Sequence, residues 1–114
     1  MKGLPKLSCL VALMTPVRAP DGCGGYSEVW TELGKLWAEI LPRSARAAGA
    51  DGLALGRGDF KITIRAAEEG SPRRPVPGQR LDHGTRRFHV QSVSERDADG
   101  RFLTVIAREE VIAR

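Results

Sequence analysis

The stretch from Arg86 to Val111, RRFHVQSVSERDADGRFLTVIAREEV, constrains the fold more than any other part of the chain. Two apolar runs rich in β-branched residues flank Asp97-Ala98-Asp99-Gly100, and a glycine in such a link takes the left-handed conformation that closes a short hairpin. In the second arm Phe102, Thr104 and Ile106 face one way, and Leu103, Val105 and Ala107 face the other. Both sides are apolar, so this strand is expected to be central or covered on both faces.

The rest of the chain is read outward from this hairpin. Phe60 to Ala66, FKITIRA, sets Phe60, Ile62, Ile64 and Ala66 against Lys61, Thr63 and Arg65, the alternation of a half-buried strand. Gly78 to Gly84, GQRLDHG, reads as a shorter strand with a turn at Asp82-His83-Gly84, which places three antiparallel strands in succession. Between these strands lies Glu68 to Gly78, EEGSPRRPVPG, whose three prolines and two arginines suit a projecting loop and not a central strand. Ser44 to Gly58 is alanine-rich with Ser44 as an N-cap, yet Gly49 and Gly52 each cost about 1 kcal/mol in a helix. One short helix over about residues 44–56 is the expectation there.

The stretch YSEVWTELGKLWAEI, Tyr26 to Ile40, fits two periodicities. On a helix Trp30, Leu33, Trp37 and Leu41 share one face. On a strand Tyr26, Glu28 and Trp30 share a side, and after a bulge at Gly34 the set Leu36, Ala38 and Ile40 opposes Trp37, Glu39 and Leu41. The turn formers from Asp21 to Gly25 decide for the strand, because they sit where a hairpin from Leu7 to Thr15 needs its connection. The fold expected is therefore mainly β, a small antiparallel barrel or sandwich in one domain spanning 1–114, with one short helix and long loops.

Hydrophobic residues at 41% and charged residues at 28% are ordinary for a globular domain. The few rings, Tyr26, Trp30, Trp37, Phe60, Phe88 and Phe102, are expected to anchor the core, with core packing favoured for both tryptophans over a role as interface anchors. Lysine and arginine exceed acids by 18 to 14, a modest positive field with no basic run of four or more. Two lysines before the apolar run Leu7 to Met14 resemble an export signal faintly, but Pro16 and Arg18 interrupt the run and no small-x-small site follows. No stretch reaches bilayer length.

Chemistry is sparse. In a hairpin turning at Pro20-Asp21-Gly22, Cys23 falls at the tip and Cys9 well down a strand, too far apart to bridge, so free thiols are expected. A zinc site from Cys9, Cys23, His83 and His89 lacks any CxxC or HxxxH pair. Glu68-Glu69 and Glu109-Glu110 are adjacent pairs that point to opposite faces of a strand, so neither is an acid-base dyad. No nucleophile elbow or phosphate loop occurs. Neither an enzyme, a cofactor nor a metal is expected.

The hairpin carrying DGCGGYSEVW, then LGKLWAEILP, the alanine-rich segment from Ser44, FKITIR, PGQRLDHGTRRFHVQSV and DGRFLTVIAREE together resemble the phage head-tail joining proteins. More narrowly, the order and spacing are similar to the head-closure or stopper proteins of tailed phages and gene transfer agents, from about Leu7 to Val111. The resemblance implies a small β-barrel assembled as a homo-oligomeric ring of six or twelve copies in the particle's neck. Such a ring lies between portal with adaptor and the tail terminator, holds packaged double-stranded DNA, and is assembled in the bacterial cytoplasm without a membrane. Gly24 and Gly25 then match the family's hairpin glycines, Trp30 and Trp37-Ala38 its bulged strand, and Pro42 that strand's exit. Ile62 and Ile64 match the central strand, and Gly78 and Phe88 the later turn and core ring. Relatives have a basic, alternating first strand where Leu7 to Met14 is almost continuously apolar, which implies an outer face buried by a neighbouring subunit.

On this reading Arg73, Arg74, Arg80, Glu68 and Glu69 are candidate contacts to the channel or to partners, with Arg73 and Arg74 facing DNA phosphate or acidic residues. Tyr26, Trp30 and Trp37 are candidate interface aromatics. The alternative is a small basic OB- or SH3-like barrel that binds nucleic acid. Such a module presents exposed rings for base stacking, whereas the ring flanked by basic residues here, Phe88 beside Arg86 and Arg87, is expected to be buried.

Overall fold

The computed structural model describes residues 3–43 and 59–110. Six antiparallel strands form one sheet that closes on itself: β1 Cys9–Pro20, β2 Tyr26–Pro42, β3 Asp59–Arg65, β4 Arg80–His83, β5 Arg86–Glu95 and β6 Phe102–Glu109. Around the barrel the order is β1, β2, β3, β6, β5, β4. The seam is short, since β1 meets β4 only through Ala12, Leu13 and Met14. The helix expected over 44–56 lies outside the described residues, and those residues hold strands and turns without a helix.

The interior is filled with side chains. Val11 and Leu13 of β1, Ala38 of β2 and Ile62 and Ile64 of β3 meet Leu81, Phe88 and Val90 across the barrel, with Leu103, Val105 and Ala107 of β6 completing the core. This is the apolar row that the alternation of β3 and the second arm of the β5–β6 hairpin foretold. β6 is central, paired with β3 on one side and β5 on the other. Its outer side is partly covered as well, Phe102 being buried beneath the Arg65 and Arg96 guanidinium groups at 5.8 and 5.7 Å. Gly100 closes the hairpin at φ 70°, the left-handed conformation that its position asked for.

Three expectations are corrected. Tyr26, Trp30 and Trp37 do not anchor the core: Tyr26 and Trp37 remain 63% and 55% exposed, and Trp30 is half-buried on the outer surface. The reason is parity. Between Leu13 and Met14 the register of β1 with β2 shifts, leaving Leu33 extra on β2 beside Gly34, whose φ is 157°. A bulge of this kind bends its strand and moves every later side chain to the other face, so Leu36 and Ala38 point inward while Trp30 points outward. Second, β3 is not half-buried, because Thr63 on its outer side is only 1% exposed. The segment before β1 is tied to β2 by Lys6 N–H donating to Glu39 at 3.0 Å, and to the β5–β6 hairpin by Arg96 donating to the Gly3 carbonyl at 2.7 Å.

Third, the Glu68–Gly78 loop is seated and not simply projecting. Pro75 is fully buried, and Gly78 and Gln79 exchange backbone hydrogen bonds with Val90 at 3.2 and 2.9 Å, continuing the β4–β5 ladder. Of the Leu7–Met14 run, Cys9 to Met14 fall in β1, with Val11 and Leu13 in the core and Leu10 exposed on the outer side.

Candidate functional site

Beyond the barrel, β1 and β2 continue as an arm. Their ladder runs without a further break from Met14 opposite Glu32 to Pro20 opposite Tyr26. The tip from Asp21 to Gly25 is held by the Asp21 carboxylate, which accepts from Cys23 N–H at 2.8 Å and Gly25 N–H at 3.1 Å. Those two backbone donors hold the Asp21 carboxyl below the usual carboxylate range. Cys23 lies exposed at this tip and Cys9 at the base of β1, and both are free thiols. Arg18 covers the Tyr26 ring at 4.8 Å.

The arm does not stand free along its whole length. Its Trp30 lies over the Arg80 guanidinium at 4.4 Å and meets the His89 ring edge-on at 5.9 Å. Arg80, 5% exposed, is fixed by a two-point bond to Asp82 at 2.7 and 2.9 Å. His89 shares a 2.7 Å hydrogen bond with Glu110, and Arg87 stands 3.7 Å from the same carboxylate. The His89 bond first, then the charges of Arg87 and Arg80, hold the Glu110 carboxyl below its ordinary range. On the rim of the barrel Arg86 makes a bidentate bond to Glu109 at 2.8 and 3.0 Å and covers the rings of Phe60 and Phe88 at 5.3 and 4.9 Å. That bond holds the Glu109 carboxyl below its ordinary range.

The residues singled out as contacts are thus dispersed. Arg80 is buried in the ion pair beneath Trp30 and is not offered to a partner by this chain. Arg74 is half-buried, its Nη1 donating to the Ala67 carbonyl at 3.1 Å, which fixes the loop. Arg73 is exposed and lines, with Trp37, Lys35 and Arg65, a pocket of about 240 Å³ floored by Leu36 and Ala66. Glu68 and Glu69 are exposed on the same loop. Trp37 pairs across the ladder with Leu10, which is also exposed, so this outer part of β1 and β2 is apolar and uncovered. The sequence reading missed the cluster of Trp30, Arg80, His89 and Glu110; its signal, the parity flip at Gly34, was present but not followed through to the partners.

Among the described residues no three His, Cys, Asp or Glu side chains are grouped to hold a metal, and Phe88 lies wholly inside the core. Rings that are exposed sit on the arm and on the β1–β2 face. A closed barrel packed with side chains, fitted with an arm and an uncovered apolar face, defines a structural domain that works by contact.

The comparisons give that class a family. The chain belongs to the phage head completion protein family, whose model matches residues 4–110. It is similar to a chain in the virion of a native gene transfer agent particle, with 38% identity, TM-score 0.75, and coverage of 96% of this chain and 100% of that one. The fold is shared with protein SF1141 from Shigella flexneri 2a, at 21% identity and TM-score 0.72, over 98% of this chain and 100% of that one. Among curated proteins nothing matches. The chain is accordingly a structural protein of the head and neck of a phage-like particle, and its work is interaction with the particle's other structural proteins.

Proposed function

We propose that the chain forms a homo-oligomeric ring of six or twelve copies in the particle's neck, between portal with adaptor and the tail terminator. There it closes the filled head and gives the tail its docking surface. The observation that carries this reading is the coexistence of a filled interior with exposed large apolar side chains, Tyr26, Val29, Trp37 and Leu10 among them. Monomeric proteins cover such patches, and a ring supplies the cover. The chain's likeness to a component of a gene transfer agent virion supports the same placement. Arg73 and the exposed Glu68 and Glu69 belong on this reading to the loop that meets an adjacent ring or the DNA channel, and Trp37 to a subunit contact.

The test is removal of the gene from a strain that makes the particle. The expected result is accumulation of packaged heads without tails and loss of the ring between them in electron micrographs. Normal tailed particles from the deletion strain would refute the proposal. In the complemented strain, Arg73→Glu is expected to lower the yield of DNA-filled particles, and an unchanged yield separates that loop from the channel.

A further inference from the structure

The arm has one open edge and one closed one. β2 pairs with β3 only from Ala38 to Pro42; from Tyr26 to Trp37 its neighbour is β1 alone. Among the described residues no other strand lies along that side. An antiparallel strand turns alternate N–H and C=O groups away from its partner, so this stretch presents a row of unpaired backbone groups. Such edges are ordinarily blunted by proline, by charge or by shortness. The β1 side of the arm follows that rule, with Pro16 and Pro20 each removing a donor. The β2 side is less guarded: it is long, contains no proline before Pro42, carries only Glu28 and the Glu32–Lys35 pair as charges, and exposes Tyr26, Val29, Leu33 and Trp37.

We propose that the β2 edge between Tyr26 and Trp37 receives an extended segment of a different neck protein as an added strand. The inference rests on the neck reading above and adds to it the surface and the mode of contact. Two observations favour a different chain over a second copy. The closed barrel has used the edges of its own strands, and the remaining long edge, that of β1 in the arm, is blocked by its prolines. Charge points the same way. On the open stretch Glu32 is paired with Lys35 at 2.9 Å, which leaves Glu28 without an ionic partner among the described residues. Two such edges set against each other about Glu28 would bring two unpaired carboxylates together. A segment with a lysine or arginine opposite Glu28, without proline in the paired positions, fits instead, with an apolar residue beside Val29.

The test compares hydrogen exchange in the free full-length chain and in purified particles. Alternate amides from Tyr26 to Leu33 are expected to exchange at least about tenfold more slowly in the particle. In a second arm, chains carrying Val29→p-benzoylphenylalanine are irradiated in assembled particles and are expected to cross-link to a different protein. Equal exchange in the two states overturns the proposal, and so does a cross-link to another copy of this chain. Absence of the chain from purified particles removes the neck reading and this proposal together, whereas a chain that is present with an unprotected edge removes this proposal alone.

Discussion

Arg80 shows how much one buried charge organises. Its guanidinium is held flat by Asp82, and the Trp30 ring closes over it, so an ion pair on the outside of the barrel becomes an interior one. Removing one member of a buried pair leaves the other without compensation, and this usually costs about 3–5 kcal/mol. Asp82 keeps 18% of its side chain in solvent, which moderates the loss. Arg80→Ala is therefore expected to destabilise by about 2–3 kcal/mol in urea unfolding and to shift the fluorescence of Trp30. Arg73→Ala, on an exposed side chain with no ion pair among the described residues, is expected to change stability by less than about 0.5 kcal/mol. Phe88→Ala, which empties the centre of the core, is expected to cost about 3–5 kcal/mol by the same measurement.

At the scale of the element, the arm is the feature to be explained, and the bulge explains it. Leu33 and Gly34 flip the parity of β2, send Trp30 outward, and let the arm rest on β4 and β5 through Arg80 and His89. Without Trp30 the arm keeps its own ladder but loses its support. Trp30→Ala is expected to cost about 1–2 kcal/mol, and to speed amide exchange at Val17 and Val29 while leaving Ile62 and Val105 unchanged. Equal acceleration at all four positions would mean that Trp30 supports the whole barrel. The hairpins themselves were legible, since turn residues and alternation act locally. The tie of the arm to the barrel was not, because a single inserted residue changes which face meets which neighbour.

The whole molecule depends on pH through its rim. Glu109 and Glu110 ionise in the fold below their ordinary value of 4.5, the first bonded to Arg86 and the second to His89. A carboxylate with a depressed folded value contributes stability that is fully present above its unfolded value and is lost as pH falls through the folded one. Wild-type stability is thus expected to decline as pH drops below about 4.5. E109Q/E110Q, lacking both ionisations, is expected to be less stable near neutrality and to give a flatter curve on the acid side. Parallel curves for the two chains in urea unfolding at stepped pH would show that other carboxylates carry the acid response.

The sequence by itself determined the strands from Phe60 onward, the turn at Asp21–Gly25, the bulge at Gly34 and the apolar rows that fill the interior. Each follows from local alternation or from turn chemistry. The resemblance of the ordered segments to head-tail joining proteins was legible in the same way, since it rests on order and spacing along the chain. Only the tertiary structure decided that Arg80 is buried, that Arg74 secures its own loop, that the tryptophans lie outside the core, and that β2 keeps one edge unpaired among the described residues. Those outcomes depend on closure of the sheet between β1 and β4, a contact between residues distant in the chain that no local pattern encodes.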